Sequence, residues 1–156
     1  MASVRFRHYK KDELAIGKRF VAWLADKRPK KITTDVRLYP SPKDTERYLA
    51  EVEARVARQF GTVGAQPVLS DEEKKMLLDE RALRIDMVVE FTFVIWIVEI
   101  KDEPRPSAVG QLVTYEVLYR RQFREWRPTK KVLVCEGSNV IVEEVCRKQG
   151  IDVIRV

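Results

Sequence analysis

One continuous run constrains this chain more than any other: Arg84 to Lys101, RIDMVVEFTFVIWIVEIK. It is dense in Val, Ile, Phe and Trp, residues that suit a packed pleated surface, and it predicts two consecutive strands. Strand parity places Phe93, Ile95, Ile97, Glu99 and Lys101 on one face and Val94, Trp96, Val98 and Ile100 on the other. The first face is apolar for most of its length and turns ionic only at its C-terminal end. A hairpin centred near Thr92-Phe93 sets Asp86 opposite Glu99. Two facing carboxylates repel, and desolvating them costs several kcal/mol each unless something compensates. A divalent cation is the simplest compensation. The plainer reading is a solvated rim, because charged strand ends are common and a Glu-x-Lys pair can sit at one.

The flanking sequence supplies helices and further strands. Asp12 can cap a helix running to about Asp26, with Phe20, Val21, Trp23 and Leu24 among its apolar positions. Ile32, Thr34, Val36 and Leu38 alternate with polar residues, as in a half-buried strand over 32–39. Pro40-Ser41-Pro42 breaks the chain, and a second helix runs from about Asp44 to Phe60, closed by Gly61 and Gly64. Residues 62–69 suit a short strand, and 70–82 a helical turn or a mobile loop. Beyond Lys101, Pro104 and Pro106 stiffen a connector. Ser107 is a good cap for a helix reaching about Phe123. Lys131–Cys135 reads as a strand, a short helix ends at Gly150, and Ile151–Val156 is a last strand. Strand, helix, strand, helix, strand makes parallel right-handed crossovers. The expected fold is therefore α/β, a mixed central sheet with helices on both faces. It fits one domain over 1–156, with a helical N-terminal half (1–83) and a motif-bearing core (84–156).

Composition narrows the partners. The formal net charge is +6 and the isoelectric point about 9.4, a balance that favours polyanions. Charges interrupt every apolar run, so no segment is suited to span a membrane. The opening MASVRFRHYKK lacks the apolar stretch of a secretory signal, which predicts a cytoplasmic protein. With His8 as the one histidine and no close cysteine cluster, a structural zinc site is not expected. Cys135 and Cys146 read as buried free thiols, with a disulfide as the alternative.

The helix after Lys101 carries Gln111 in its first turns and Tyr115 four residues on, hence on the same face. A short connector would bring that face back over the carboxylates. A glutamine there can hydrogen-bond a metal-bound water or a phosphate. Tyr115 can pack beside it or touch a nucleic-acid backbone. Arg120, Arg121, Arg124, Arg127, Lys130 and Lys131 cluster around the end of this helix, with Trp126 among them, a composition that suits phosphates and stacked bases. Lys27, Arg28, Lys30 and Lys31 form a second basic patch. Either patch can also be a solvated face.

The order Asp86, then Glu99-Ile100-Lys101, then Gln111-x-x-x-Tyr115 resembles the PD-(D/E)xK nuclease superfamily. It is most similar to the branch with RecB-type and archaeal mismatch-endonuclease-type domains, where a Q-x-x-x-Y helix follows the E-x-K strand. Arg84-Ile85-Asp86 resembles the R-x-D form of that branch, with Ile85 where a proline often precedes the aspartate. The likeness covers roughly residues 84–156. It implies a restriction-endonuclease-like fold and a metal-dependent phosphodiesterase acting on DNA or, less often, RNA, as an endonuclease of DNA repair or recombination would. On that resemblance Asp86, Glu99 and the Ile100 carbonyl would bind Mg²⁺ or Mn²⁺. Lys101 would hold the attacking water or stabilise the transition state, and Gln111 would orient water or phosphate. The family usually adds an acid from an N-terminal helix. Glu53 shares a stripe with Leu49, Val56 and Phe60, and Glu13 shares one with Phe20 and Leu24; Glu53 is preferred because its helix leads more directly to the core strands. The rival expectations are an inactivated nucleic-acid-binding relative and a subunit of a larger nucleic-acid-processing assembly. An exposed apolar patch around Phe91-Thr92-Phe93 would favour a homodimer or such docking.

Overall fold

The computed structural model describes residues 9–61 and 69–156. The expected strand over 62–69 falls almost wholly outside them. Five strands form one mixed sheet in the order β1-β2-β3-β4-β5: β1 is Lys31–Leu38, β2 Leu83–Glu90, β3 Ile95–Ile100, β4 Thr129–Cys135 and β5 Ile151–Arg155. β2 and β3 are the two halves of the expected hairpin and pair antiparallel, whereas β3, β4 and β5 run parallel. Parallel neighbours need crossovers. Helices α4 (Pro106–Phe123) and α5 (Val140–Lys148) supply them. Of the remaining helices, α1 is Lys11–Leu24, α2 Pro42–Phe60 and α3 Asp71–Arg81.

The contacts divide the chain into two compact units, residues 1–37 with 84–156, and residues 38–83. In the first, alternation along the strands sorts the core into two layers. Met87, Val89, Val98, Ile100, Val132 and Val134 pack against Ile16, Phe20 and Leu24 of α1, which recur every four residues on one helix face. The opposite sheet face carries Ile95, Ile97, Glu99 and Leu133. It is covered by α4, whose buried stripe is Ala108, Leu112, Tyr115 and Tyr119. Helices thus lie on both faces, as the strand order required. Cys135 and Cys146 are buried free thiols.

The second unit is helical. Ser41 caps α2, its hydroxyl accepting from the Asp44 N–H at 3.2 Å, and Pro42 takes the first helical turn, so the proline-rich break starts the helix earlier than its composition suggested. The 70–82 stretch is a full helix, α3, opened by a reciprocal Ser70–Glu73 cap. Arg81 stacks over the Tyr48 ring and Lys74 pairs with Glu53 at 3.0 Å.

Two expected caps move. Asp12 lies inside the first turn of α1, where the Glu13 carboxylate accepts from the Lys10 N–H at 3.4 Å. Ser107 lies inside α4, because Pro106, whose fixed φ suits a first helical position, starts the helix one residue earlier with Arg105 as N-cap. Among the described residues no helix is long and apolar enough to cross a membrane.

Candidate active site

The hairpin register runs Met87↔Val98 to Glu90↔Ile95. One further step sets Asp86 across from Glu99, on the sheet face that α4 covers. The ladder does not continue there with backbone alone. The Ile100 N–H donates to Asp86 Oδ2 at 2.7 Å, so a side chain enters where a strand would have paired. In an extended residue the N–H and C=O point to the same edge, so the Ile100 carbonyl is directed toward Asp86 as well. On the other edge the Lys101 N–H donates to the Val134 carbonyl at 3.0 Å, which anchors the strand end to β4.

Glu99 is 1% exposed, the one charged residue in the core among the described residues. Its Oε1 pairs with Lys101 Nζ at 2.6 Å, while its Oε2 is buried without a hydrogen-bond partner. The Glu13 carboxylate of α1 approaches Lys101 Nζ to 4.0 Å. Two carboxylates therefore pair with one ammonium, and the Asp86 carboxylate lies near enough to feel its charge. Burial pushes the Asp86 carboxyl up to about 6, against the pull of the Ile100 N–H and Lys101. Burial, with the Asp86 charge adding, pushes Glu99 up to about 8. Burial alone would lower the Lys101 ammonium, but Glu99, Asp86 and Glu13 outweigh it and hold its pKa above the usual lysine range. Lys101 is thus a fixed cation at neutral pH, and the acids beside it are short of positive charge.

The short connector folds α4 back as its length suggested. Gln111 Nε2 donates to the Tyr115 hydroxyl at 3.2 Å, and Gln111 Oε1 is buried without a partner. Tyr115 is pushed up to about 12, by burial first and by the Glu99 and Asp86 charges after it. Tyr115 is only 4% exposed, so it is placed to hold Gln111 rather than to touch a nucleic acid.

Two contributors come from the N-terminus. Tyr9 donates its hydroxyl to the Asp86 carbonyl at 2.5 Å, and burial with the surrounding carboxylates holds it protonated. No sequence pattern marked Tyr9. Glu13 is the N-terminal acid brought to Lys101, because it lies one turn before Ile16 on the buried side of α1. Glu53, the preferred acid, instead has its carboxylate paired with Lys74 inside the 38–83 unit. Arg84 lies 3.6 Å from Asp35, a residue held at φ +55°, rather than against the carboxylates.

The basic residues expected to meet nucleic acid lie elsewhere. Arg120 and Arg121 occupy the last turn of α4, Arg124 follows it, and Lys130 opens β4 beside Trp96. Thirteen residues of largely helical chain separate Gln111 from Arg124, roughly 20 Å at the helical rise. Arg120 bonds Thr129 at 3.4 Å, and Lys130 pairs with Asp152 at 2.5 Å.

No family model and no curated protein matches the chain. Among solved structures, a chain of an EndoMS–dsDNA2 complex is similar at a TM-score of 0.45 and 10% identity, over 99% of this chain and 48% of that one. The chain therefore spans about half the length of that protein.

Proposed function

We propose that this chain is a metal-dependent nuclease of the PD-(D/E)xK type that hydrolyses phosphodiester bonds of DNA. The observation that carries the reading is the Asp86–Glu99 pair at the open end of the β2–β3 ladder, with Glu99 Oε2 buried and unpartnered beside a single ammonium.

The residues present fit Mg²⁺ or Mn²⁺. Asp86, Glu99 and the Ile100 carbonyl offer hard oxygens. Such ions take few protein ligands and keep several waters, so two carboxylates and a carbonyl are enough; among the described residues no cluster of three acidic, His or Cys side chains is placed to hold a metal. When bound, such an ion supplies a water of lowered pKa and positive charge for the phosphate oxygens. The chain's own groups do the rest. Lys101, protonated across the neutral range, donates to the attacking water or to a non-bridging phosphate oxygen as negative charge builds there. Gln111, its amide nitrogen held by Tyr115, turns its free Oε1 toward a water proton. Glu13 keeps Lys101 in place from the α1 side, and Tyr9 fixes the Asp86 backbone.

Tyr115→Phe keeps the ring and removes the acceptor for Gln111. A side-chain hydrogen bond of this kind contributes about 0.5–1.5 kcal/mol to stability, so the melting temperature should fall by a few degrees, and cleavage should slow by up to roughly tenfold as Gln111 loosens.

The proposal is tested on labelled single-stranded, duplex and branched DNA, with RNA counterparts, in Mg²⁺ or Mn²⁺ and in EDTA. Cleavage that needs the divalent ion is expected. Cleavage unaffected by EDTA, or none on any substrate, would contradict the reading.

A further inference from the structure

The end of the sheet away from Asp86 and Glu99 carries a feature that the proposed reaction does not use. Three segments distant in sequence meet there: the turn at Ala25–Arg28, the hairpin turn between β2 and β3, and the loop between α4 and β4. Arg127 ties the last two together, donating to the Phe91 carbonyl at 3.1 Å and pairing with Glu90 at 3.3 Å. The Lys30 N–H donates to the Glu90 carbonyl at 2.7 Å and brings in the first. An aromatic file runs beneath them, with ring centroids 5.6 Å apart for Phe20–Trp23, 6.4 Å for Trp23–Trp96 and 5.0 Å for Trp96–Phe91. Lys27 Nζ stands 4.8 Å over Trp23, and Lys130 Nζ 4.8 Å over Trp96. Lys27, Arg28, Phe91, Phe93 and Trp96 line an open groove of about 390 Å³. Phe93 is 78% exposed and Trp126 79% exposed.

Aromatic rings standing in solvent among lysines and arginines match what a single nucleic-acid strand presents, flat bases and regularly spaced phosphates. The charge balance argues the same way. Glu90 and Glu125 are both taken by Arg127, and Asp152 by Lys130, which leaves Asp26 as the acid of the Ala25–Arg28 turn. Arg28, Lys30 and Arg124 make no ion pair among the described residues. An apolar protein surface would have to bury these cations without counter-charge, at a cost that phosphates remove.

We propose that this end of the sheet is a docking platform for a single nucleic-acid strand, set apart from the carboxylates by the length of β3, roughly 20 Å at the strand rise. Phe93 and Trp126 stack on bases, and Lys27, Arg28 and Lys30 hold the flanking phosphates. The inference stands on residues that take no part in the proposed reaction.

The test uses the full chain in EDTA, so that binding is read apart from any cleavage. Fluorescence anisotropy of labelled oligothymidylate is followed over a range of NaCl concentrations. Binding should weaken steeply with salt. Trp126→Ala and Phe93→Ala should each weaken it about fivefold or more, since stacking on one aromatic carries that much. Both side chains stand in solvent, so unchanged melting temperatures are expected and separate lost contacts from lost fold. Lys27→Gln with Arg28→Asn should flatten the salt slope; Asn is chosen because Arg28 has φ +51°, which Asn tolerates. Oligonucleotide affinity unchanged by both aromatic substitutions would overturn the proposal. So would concentration-dependent self-association of the wild type that these substitutions abolish while oligonucleotide binding persists, because the face would then be an interface between copies.

Discussion

Glu99→Gln is expected to abolish divalent-dependent cleavage, and Lys101→Ala is expected to do the same. The two act through different losses. Glutamine keeps the shape of Glu99 but removes a negative oxygen from the core, so the site loses a hard ligand where it has only two carboxylates at the hairpin end. Alanine at 101 removes the ammonium 2.6 Å from Glu99 and leaves that carboxylate buried with no cation beside it. Each loss bears on charge stabilisation worth several kcal/mol, so a fall in rate on the order of 10³-fold or more is expected. Circular dichroism and thermal melting should show both variants folded. Cleavage persisting at near wild-type rate in both would end the nuclease reading. Glu13→Gln and Glu53→Gln, assayed beside them, decide which N-terminal acid matters. The 4.0 Å approach of Glu13 to Lys101 predicts the larger effect at Glu13.

The second large effect is on stability, and its sign is opposite to the effect on activity. Asp86 is raised to about 6 and Glu99 to about 8, so the folded chain binds more protons than the unfolded one between about pH 4 and pH 8. Stability then falls as pH rises across that window. The metal-free protein should melt at a lower temperature at pH 8 than at pH 5.5. Carboxylates held low by arginines, Glu125 and Glu143, pull the other way, but only below the ordinary carboxylate range and hence outside the window. In Glu99→Gln most of the fall should vanish, and at pH 8 this variant should melt above the wild type by several degrees while lacking activity. Adding Mn²⁺ should restore the wild type and leave the variant unmoved, since an ion bound only by the folded state adds about 2.7 kcal/mol at one hundred times its dissociation constant. Parallel melting curves for the two proteins across the window would show that Glu99 carries no such strain.

The parts of the site that sequence made legible are those set by local periodicity. The two-residue repeat of a strand and the position of one turn set Asp86 opposite Glu99, one step beyond the last observed pair, Met87↔Val98. The four-residue helical spacing put Gln111 on Tyr115. What stayed hidden depends on docking between distant elements. Tyr9 meets Asp86 across 77 residues, and nothing local distinguishes it from any aromatic in a basic stretch. Glu13 and Glu53 both sit on amphipathic stripes, and only the packing of α1 against the central strands brings Glu13 to within 4.0 Å of Lys101. The place of the basic clusters was equally hidden. They are adjacent in sequence to the Gln111 helix, but the length of that helix carries them to the far end of the sheet, where Lys27 and Arg28 join them.

The central claim is that two carboxylates from neighbouring strands hold a hard cation. Calorimetric titration of the metal-free protein with Mn²⁺ at pH 8 tests it most directly, with Asp86→Asn and Glu99→Gln titrated alongside. The wild type should bind the ion and each substitution should remove or severely weaken that binding. A wild type that takes up no ion, or variants that bind it as tightly as the wild type, would contradict the account.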